Sequence, residues 1–315
     1  MIPMPDDARI WGVAVLVNST CRLPLARLDD MLILYLRGEK TTMDSRDMQV
    51  IGLCRFSYPA LGGFQVEHDT PSDRSAFLYA RDRIEERFAT FETFTLPPLR
   101  AQTDGDFTFL VVIGDDFPTV YHDRLMDLLR DIPQAVVQAH APGPHRAVMK
   151  QAINSVRDDR KLPCFQFRMD DDDAVSVTFI ERLREAAQDC RPLLRKNKHV
   201  AIDFNQGWIA RPSKTGIDAS PTVEPLWTAG LAMSSKPSAA NTIMNFGHSK
   251  LARFMPVVSF TGEDMFIRGH NDFNDSRQTG RVRKVDLVSL SSEQDALFRQ
   301  TYNICSDHVR RVFSD

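Results

Sequence analysis

The sequence has no closely spaced cysteines. Cys21, Cys54, Cys164, Cys190 and Cys305 are scattered and none forms a CxxC pair, so no zinc knuckle is written here. An odd set spread through 315 residues points to reduced thiols and a cytoplasmic setting rather than a disulfide framework. Long apolar runs are also lacking. Ile10 to Val17 and Met31 to Leu36 fall well short of the roughly 20 residues that span a bilayer. Only Arg9 gives the first run a basic flank, and Asp6 and Asp7 dilute it, unlike a secretory leader. No charge of one sign dominates: the formal net charge is -3, which excludes a global basic field for nucleic acid. The GxGxxG, Walker, HExxH and GxSxG motifs are missing, as are internal repeats and strong linkers.

What is present is an ordinary globular composition. Hydrophobic residues make up 43% and charged residues 26%, enough to bury a core without staples. The clear pattern begins at Met48. Residues 1–47 read as an appended, poorly ordered segment, and 48–315 as one continuous domain.

Gln49 to Phe56, Phe107 to Ile113, Ala135 to Gln138 and Cys164 to Met169 are short apolar runs that read as buried strands. Between and after them, Ser75 to Thr93, Tyr121 to Leu129, His145 to Arg157 and Ser176 to Gln188 carry helical spacing. Alternation of strand and helix predicts an α/β sandwich with a mainly parallel central sheet flanked by helices. Ligands of such sheets bind beyond the carboxyl ends of the strands, where Asp115 and Asp170 both fall.

Past residue 190 the alternation fades. Val200 to Phe204, Gly207 to Arg211, Leu226 to Met233 and Asp264 to Arg268 read as short strands or loops. Thr242 to Met255 and Ser291 to Phe313 read as helices, and the polar stretches 213–224 and 271–281 as lids. Trp208 and Trp227 read first as core, and His248 as a structural or capping histidine.

The stretch Asp170 to Asp173 is the most informative. Adjacent carboxylates repel by about 1 kcal/mol per pair in water, and more near protein. An apolar strand anchors them, so a bound cation is the natural relief. In an extended segment, residues two apart share a face, which pairs Asp170 with Asp172 and Asp171 with Asp173. Oxygen-only ligands suit Mg²⁺ or Mn²⁺. The EF-hand spacing is absent because no glycine follows the run.

The strand-DDDD arrangement resembles the GT-A nucleotide-sugar glycosyltransferases. Within them, RFSY at Arg55 to Tyr58, FETFTLPPL from Phe91, FRMDDDDAV at Phe167 to Val175 and GHNDFNDS from Gly269 resemble a bacterial rhamnosyltransferase family. The resemblance covers roughly residues 48–313. It implies a GT-A-like single domain with a Rossmann-like donor half, 48–190, and an irregular acceptor half, 191–315.

It also implies a nucleoside-diphosphate sugar donor and a saccharide or lipid-linked saccharide acceptor, with room for a peripheral membrane contact. Arg55, Phe56, Ser57, Asp115, Lys150, Asn154, Asp170 and Asp171 would meet the donor. Asp170, Asp172 and His270 would hold Mn²⁺ or Mg²⁺. Glu263 or Asp264 would activate the acceptor hydroxyl, with inversion at the anomeric carbon. Rival readings are a metal-dependent nucleotidyltransferase or phosphate-ester hydrolase, and a non-enzymatic divalent-cation-binding domain.

Overall fold

The computed structural model describes residues 44–62, 68–158, 162–270 and 285–314, all within a compact unit running from Met43 to Asp315. Residues 1–43 and the stretch 271–281 lie outside the described residues.

The donor half opens with β1 (Val50–Arg55), α1 (Pro71–Leu78) and α2 (Arg81–Thr90). A π-turn at Phe91–Thr95 leads into the short helix α3 (Leu96–Arg100). Pro97 and Pro98 sit in the first turn of α3, which continues the π-turn directly. There follow β2 (Thr108–Gly114), α4 (Thr119–Leu129), β3 (Ala135–His140), α5 (His145–Ser155) and β4 (Cys164–Met169). Next come β5 (Ala174–Val175), α6 (Phe179–Asp189) and α7 (Arg191–Lys196).

The remaining half holds β6 (His199–Phe204), β7 (Gln206–Ser213), β8 (Gly216–Val223), β9 (Leu231–Ser235), β10 (Val257–Phe260) and β11 (Phe266–Gly269). It ends with β12 (Val288–Ser289), α8 (Ser292–Tyr302) and α9 (Ser306–Val312).

Seven strands form the main sheet in the order β10-β6-β9-β4-β1-β2-β3. β1 is parallel to β2 and β4, β2 to β3, and β6 to β10. β9 alone runs antiparallel, between β4 and β6. The expected mainly parallel central sheet of an α/β sandwich is therefore present. One face is closed by an aromatic-rich core containing Phe56, Phe88, Phe91, Phe109, Phe167 and Phe179. The other carries Leu53, Leu110, Val112, Met149, Ile153 and Met244. Gly52 is required where β1 passes β4, since a Cβ there would lie 2.4 Å from the Phe167 ring.

A second sheet, β12-β8-β7-β11-β5, corrects one expectation, and the helical stretches of this half correct two more. The stretch 213–224 is no lid, because β8 pairs along its length with β7. Thr242 to Met255 is not one helix but two short 3-10 turns, Ile243–Asn245 and His248–Arg253, separated by Phe246 and Gly247. The closing helix is broken at Asn303, whose φ of 55° lies in the left-handed region that ends helices.

Asp44 to Met48 pack on the fold. Arg184 of α6 donates to the carbonyls of Ser45 at 2.7 Å, Arg46 at 3.0 Å and Met48 at 2.6 Å. Met48 is fully buried.

Candidate functional site

β4 delivers the aspartate run to the carboxyl edge of the main sheet, and β5 receives it into the second sheet. The backbone between is not extended. The Asp173 amide donates to the Asp170 carbonyl at 3.2 Å, closing a tight turn. Strand alternation therefore holds only in part: Asp170 and Asp172 stay together as expected, whereas the expected pair of Asp171 and Asp173 is split. Carboxylate oxygens of Asp170, Asp172 and Asp173 converge to within 4.8 Å of one another. Asp171 points away, into the buried guanidinium of Arg87 on α2, at 2.7 Å. Its expected contact with a donor is corrected accordingly.

Asp173, which sequence reading did not single out, organises the turn. Its Oδ2 accepts the Asp170 amide at 3.2 Å and its Oδ1 accepts the Gly269 amide at 3.1 Å. Gly269 ends β11 so close to the turn that a Cβ would lie 2.3 Å from the Asp172 carbonyl oxygen. The site thus sits at the seam of the two sheets. His270 follows Gly269, but its ring is not part of the convergent carboxylate group. The backbone amide of His270 donates to Ala210 and its carbonyl accepts from Arg211.

Arginines surround the turn. Arg55, at the end of β1, donates to Asp170 Oδ1 at 3.0 Å. Arg87 also lies 3.4 Å from Asp172, and Arg268 of β11 lies 3.9 Å from Asp173. Arg168, near the end of β4, stands two residues before the run. These charges split the carboxylates. Burial alone would raise the pKa of Asp170, but Arg55, Arg268 and Arg168 outweigh it and hold the group well below the usual range. Burial raises Asp171 and Asp173, helped by their acidic neighbours and opposed by Arg87 and Arg268 respectively. Burial, then Arg55 and Arg168, pushes His145 at the start of α5 down to about 3, so its imidazole is neutral near pH 7. Arg168 itself is lowered to about 10 by burial.

The remaining expected residues divide. Ser57 leaves β1 with a φ of 51°, a left-handed conformation costing roughly 1–3 kcal/mol in a non-glycine residue. Its Oγ accepts from Arg83 at 3.3 Å. Asp115 is exposed in the turn after β2, beside the same sheet edge. Lys150 is half-buried on α5. Phe56 is corrected: its ring is fully buried among Phe88, Phe91 and Phe117 and cannot line a nucleotide.

Asn154 is corrected as well. It lies at the last turn of α5, near the amino edge of the sheet, and donates to the Ala240 carbonyl at 3.0 Å.

Glu263 and Asp264 precede β11, whose opposite end meets the turn. At ~3.3 Å per residue, the five steps from Asp264 to Gly269 put about 16 Å between them. Glu263 is exposed and bound in a two-point pair by Arg182 at 2.9 Å. Asp264 accepts from Gln206 and from the Trp208 indole at 2.9 and 2.8 Å. The structure does not bring either to the aspartate turn. Trp208 is core, as expected, whereas Trp227 lies under the Arg268 guanidinium, 5.6 Å from its ring centre. His248 opens its short helix without capping it; its Nδ1 lies 2.7 Å from the Leu226 carbonyl, a structural role.

Three convergent carboxylates with only oxygen donors fit a hard divalent cation. The donors missed by sequence reading are Asp173, Arg87, Arg168 and Arg268. For Arg168 the one available signal was its position two residues before the run; Arg87 and Arg268 arrive from distant elements. Among the described residues, no helix is long and apolar enough to cross a membrane.

No curated protein matches the chain. Solved structures of similar backbone include S. aureus TarS 1-349, with a TM-score of 0.39 and 9% identity over 70% of this chain and 60% of that one. The same protein in complex with UDP-GlcNAc gives 0.39 and 9% over 72% and 60%. A "putative nucleotide-diphospho-sugar transferase" from Desulfovibrio desulfuricans G20 gives 0.31 and 11% over 71% and 82%. This chain therefore spans 60% of the length of the TarS fragment. A family model matches residues 49–283, well over half of the sequence and including the whole aspartate turn, and the protein belongs to that family, described as "Putative rhamnosyl transferase".

Proposed function

We propose that this protein transfers a sugar, rhamnose by the family's description, from a nucleoside-diphosphate donor to a hydroxyl of a saccharide or lipid-linked saccharide, with inversion. The observation that carries this reading is the convergence of Asp170, Asp172 and Asp173 at the carboxyl end of β4, where open parallel sheets take their ligands. Family membership supports the same reading.

Asp170 and Asp172, with Asp173, would hold Mn²⁺ or Mg²⁺, which supplies charge neutralisation to the departing nucleoside diphosphate. Arg55 fixes Asp170 through a charge-assisted hydrogen bond. Arg87 fixes the back of the turn, and Gly269 lets β11 close on it. Asp115 and Ser57 stand at neighbouring strand exits, as positions for the nucleoside. Glu263 and Asp264 carry no part of this reading.

The test is product analysis with nucleoside-diphosphate sugars, rhamnose donors included, in the presence of Mn²⁺. Release of nucleoside diphosphate together with a glycoside is expected, and Asp172→Asn should lower turnover by at least ~100-fold. Release of pyrophosphate would instead establish nucleotidyl transfer, and a cation response indifferent to nucleotide would establish a binding domain.

A further inference from the structure

Arg168 differs from the other arginines around the aspartate turn. Arg55 has Asp170 at 3.0 Å, Arg87 has Asp171 at 2.7 Å, and Arg268 has Asp173 at 3.9 Å. Among the described residues, no carboxylate lies within ion-pairing distance of Arg168. The contact its guanidinium makes is to the sulfur of Met244, 3.9 Å from Nη1, and a thioether is a weak acceptor.

The group is nevertheless closely surrounded by protein, while the residue as a whole keeps part of its surface open to solvent. Enclosing a cation without an anion is costly. That cost is recovered when a ligand brings the anion. Arg168, near the end of β4, lies close enough to Asp170 for their charges to act on each other. Arg55, held on Asp170, and Arg268, near Asp173, both act on it with their charge. Arg146 and Arg268 add positive charge to it and Asp170 subtracts. A planar guanidinium presents two parallel N–H groups to phosphate oxygens.

We propose that Arg168, flanked by Arg55 and Arg268, grips the diphosphate of the donor, so that the chain's own guanidinium groups share the neutralisation of the leaving group with the divalent ion. This rests on the transferase reading above for the identity of the ligand, while the arginine assignment concerns any diphosphate.

Calorimetric titration with inorganic pyrophosphate separates the two, because it needs neither base nor sugar. With EDTA present, the wild-type protein should bind pyrophosphate measurably, and Mn²⁺ should tighten the binding. Arg168→Met, whose side chain suits the Met244 wall, should weaken it roughly 10- to 100-fold in EDTA. Arg168→Lys, which keeps the charge and loses the fork, should fall between. Equal affinity in wild type and Arg168→Met, or no wild-type binding once metal is removed, would overturn the assignment. If the methionine variant does not fold, wild-type affinity in Arg168→Lys overturns it and a loss supports it. Pyrophosphate binding without turnover of any nucleotide sugar would remove the transferase reading and leave the arginine assignment standing. Turnover with unchanged pyrophosphate affinity in the variant would do the reverse.

Discussion

His199, at the start of β6, shows how a single side chain sets a pH response away from the site. Burial, then the charges of Lys198 and Arg157, lowers its pKa, and its Nδ1 lies 3.1 Å from Ser235 Oγ. A depressed folded pKa contributes stability that is full above the unfolded value of ~6.5 and is lost as pH falls through the folded value. Urea unfolding should therefore show stability falling as pH drops through and below about 6.5. His199→Gln should make that fall smaller, and an unchanged slope would discard the explanation.

The same scale shows what could be read from the chain. Asp170 and Asp172 were legible because four like charges after an apolar strand need a countercharge. The partition between them was not. It depends on a turn that rotates Asp173 inward and Asp171 toward Arg87, and alternation assumes that no such turn exists. Arg87 is separated from Asp171 by much of the donor half, so no local spacing announces the pair.

Among elements, β11 matters more to the site than its short length suggests. It carries Gly269 against the turn and Arg268 beside Asp173. Gly269→Ala would place a methyl 2.3 Å from a backbone oxygen, which no side-chain rotation can relieve. A loss of about 1–3 kcal/mol is expected, read by thermal unfolding. The stabilisation given by Mn²⁺ with nucleoside diphosphate should shrink as well. Full retention of that ligand-induced shift would show that β11 does not position the carboxylates.

The first strands and helices were legible because each buries an apolar face with regular spacing. The second half was not. β8 is a partly exposed strand rich in polar and small residues, GIDASPTV, and it looks like a loop until its partner β7 is known. The break at Asn303 likewise has no proline or glycine to announce it.

At the scale of the molecule, the fold takes hold before the first strand. Arg184 is deeply buried and bonds Asp104 at 2.7 Å and the Asp106 carbonyl at 2.6 Å, in addition to three carbonyls of the segment 45–48. A chain beginning at Asp44 keeps these acceptors. One beginning at Gln49 loses Met48 from the core and leaves the guanidinium short of partners. The shorter chain should be less stable by about 3 kcal/mol or more, measured as the difference in urea midpoint between the two. Equal midpoints would mean that the segment merely rests on the surface.

The aspartate turn is stitched at one end to a broad sheet with a large aromatic core and at the other to a strand of only two residues, Ala174–Val175. Its geometry is therefore inherited from the weaker partner. Heat or denaturant that frays the small sheet would scatter the carboxylates while the bulk of the protein still looked native, so divalent-cation binding would fade ahead of global melting.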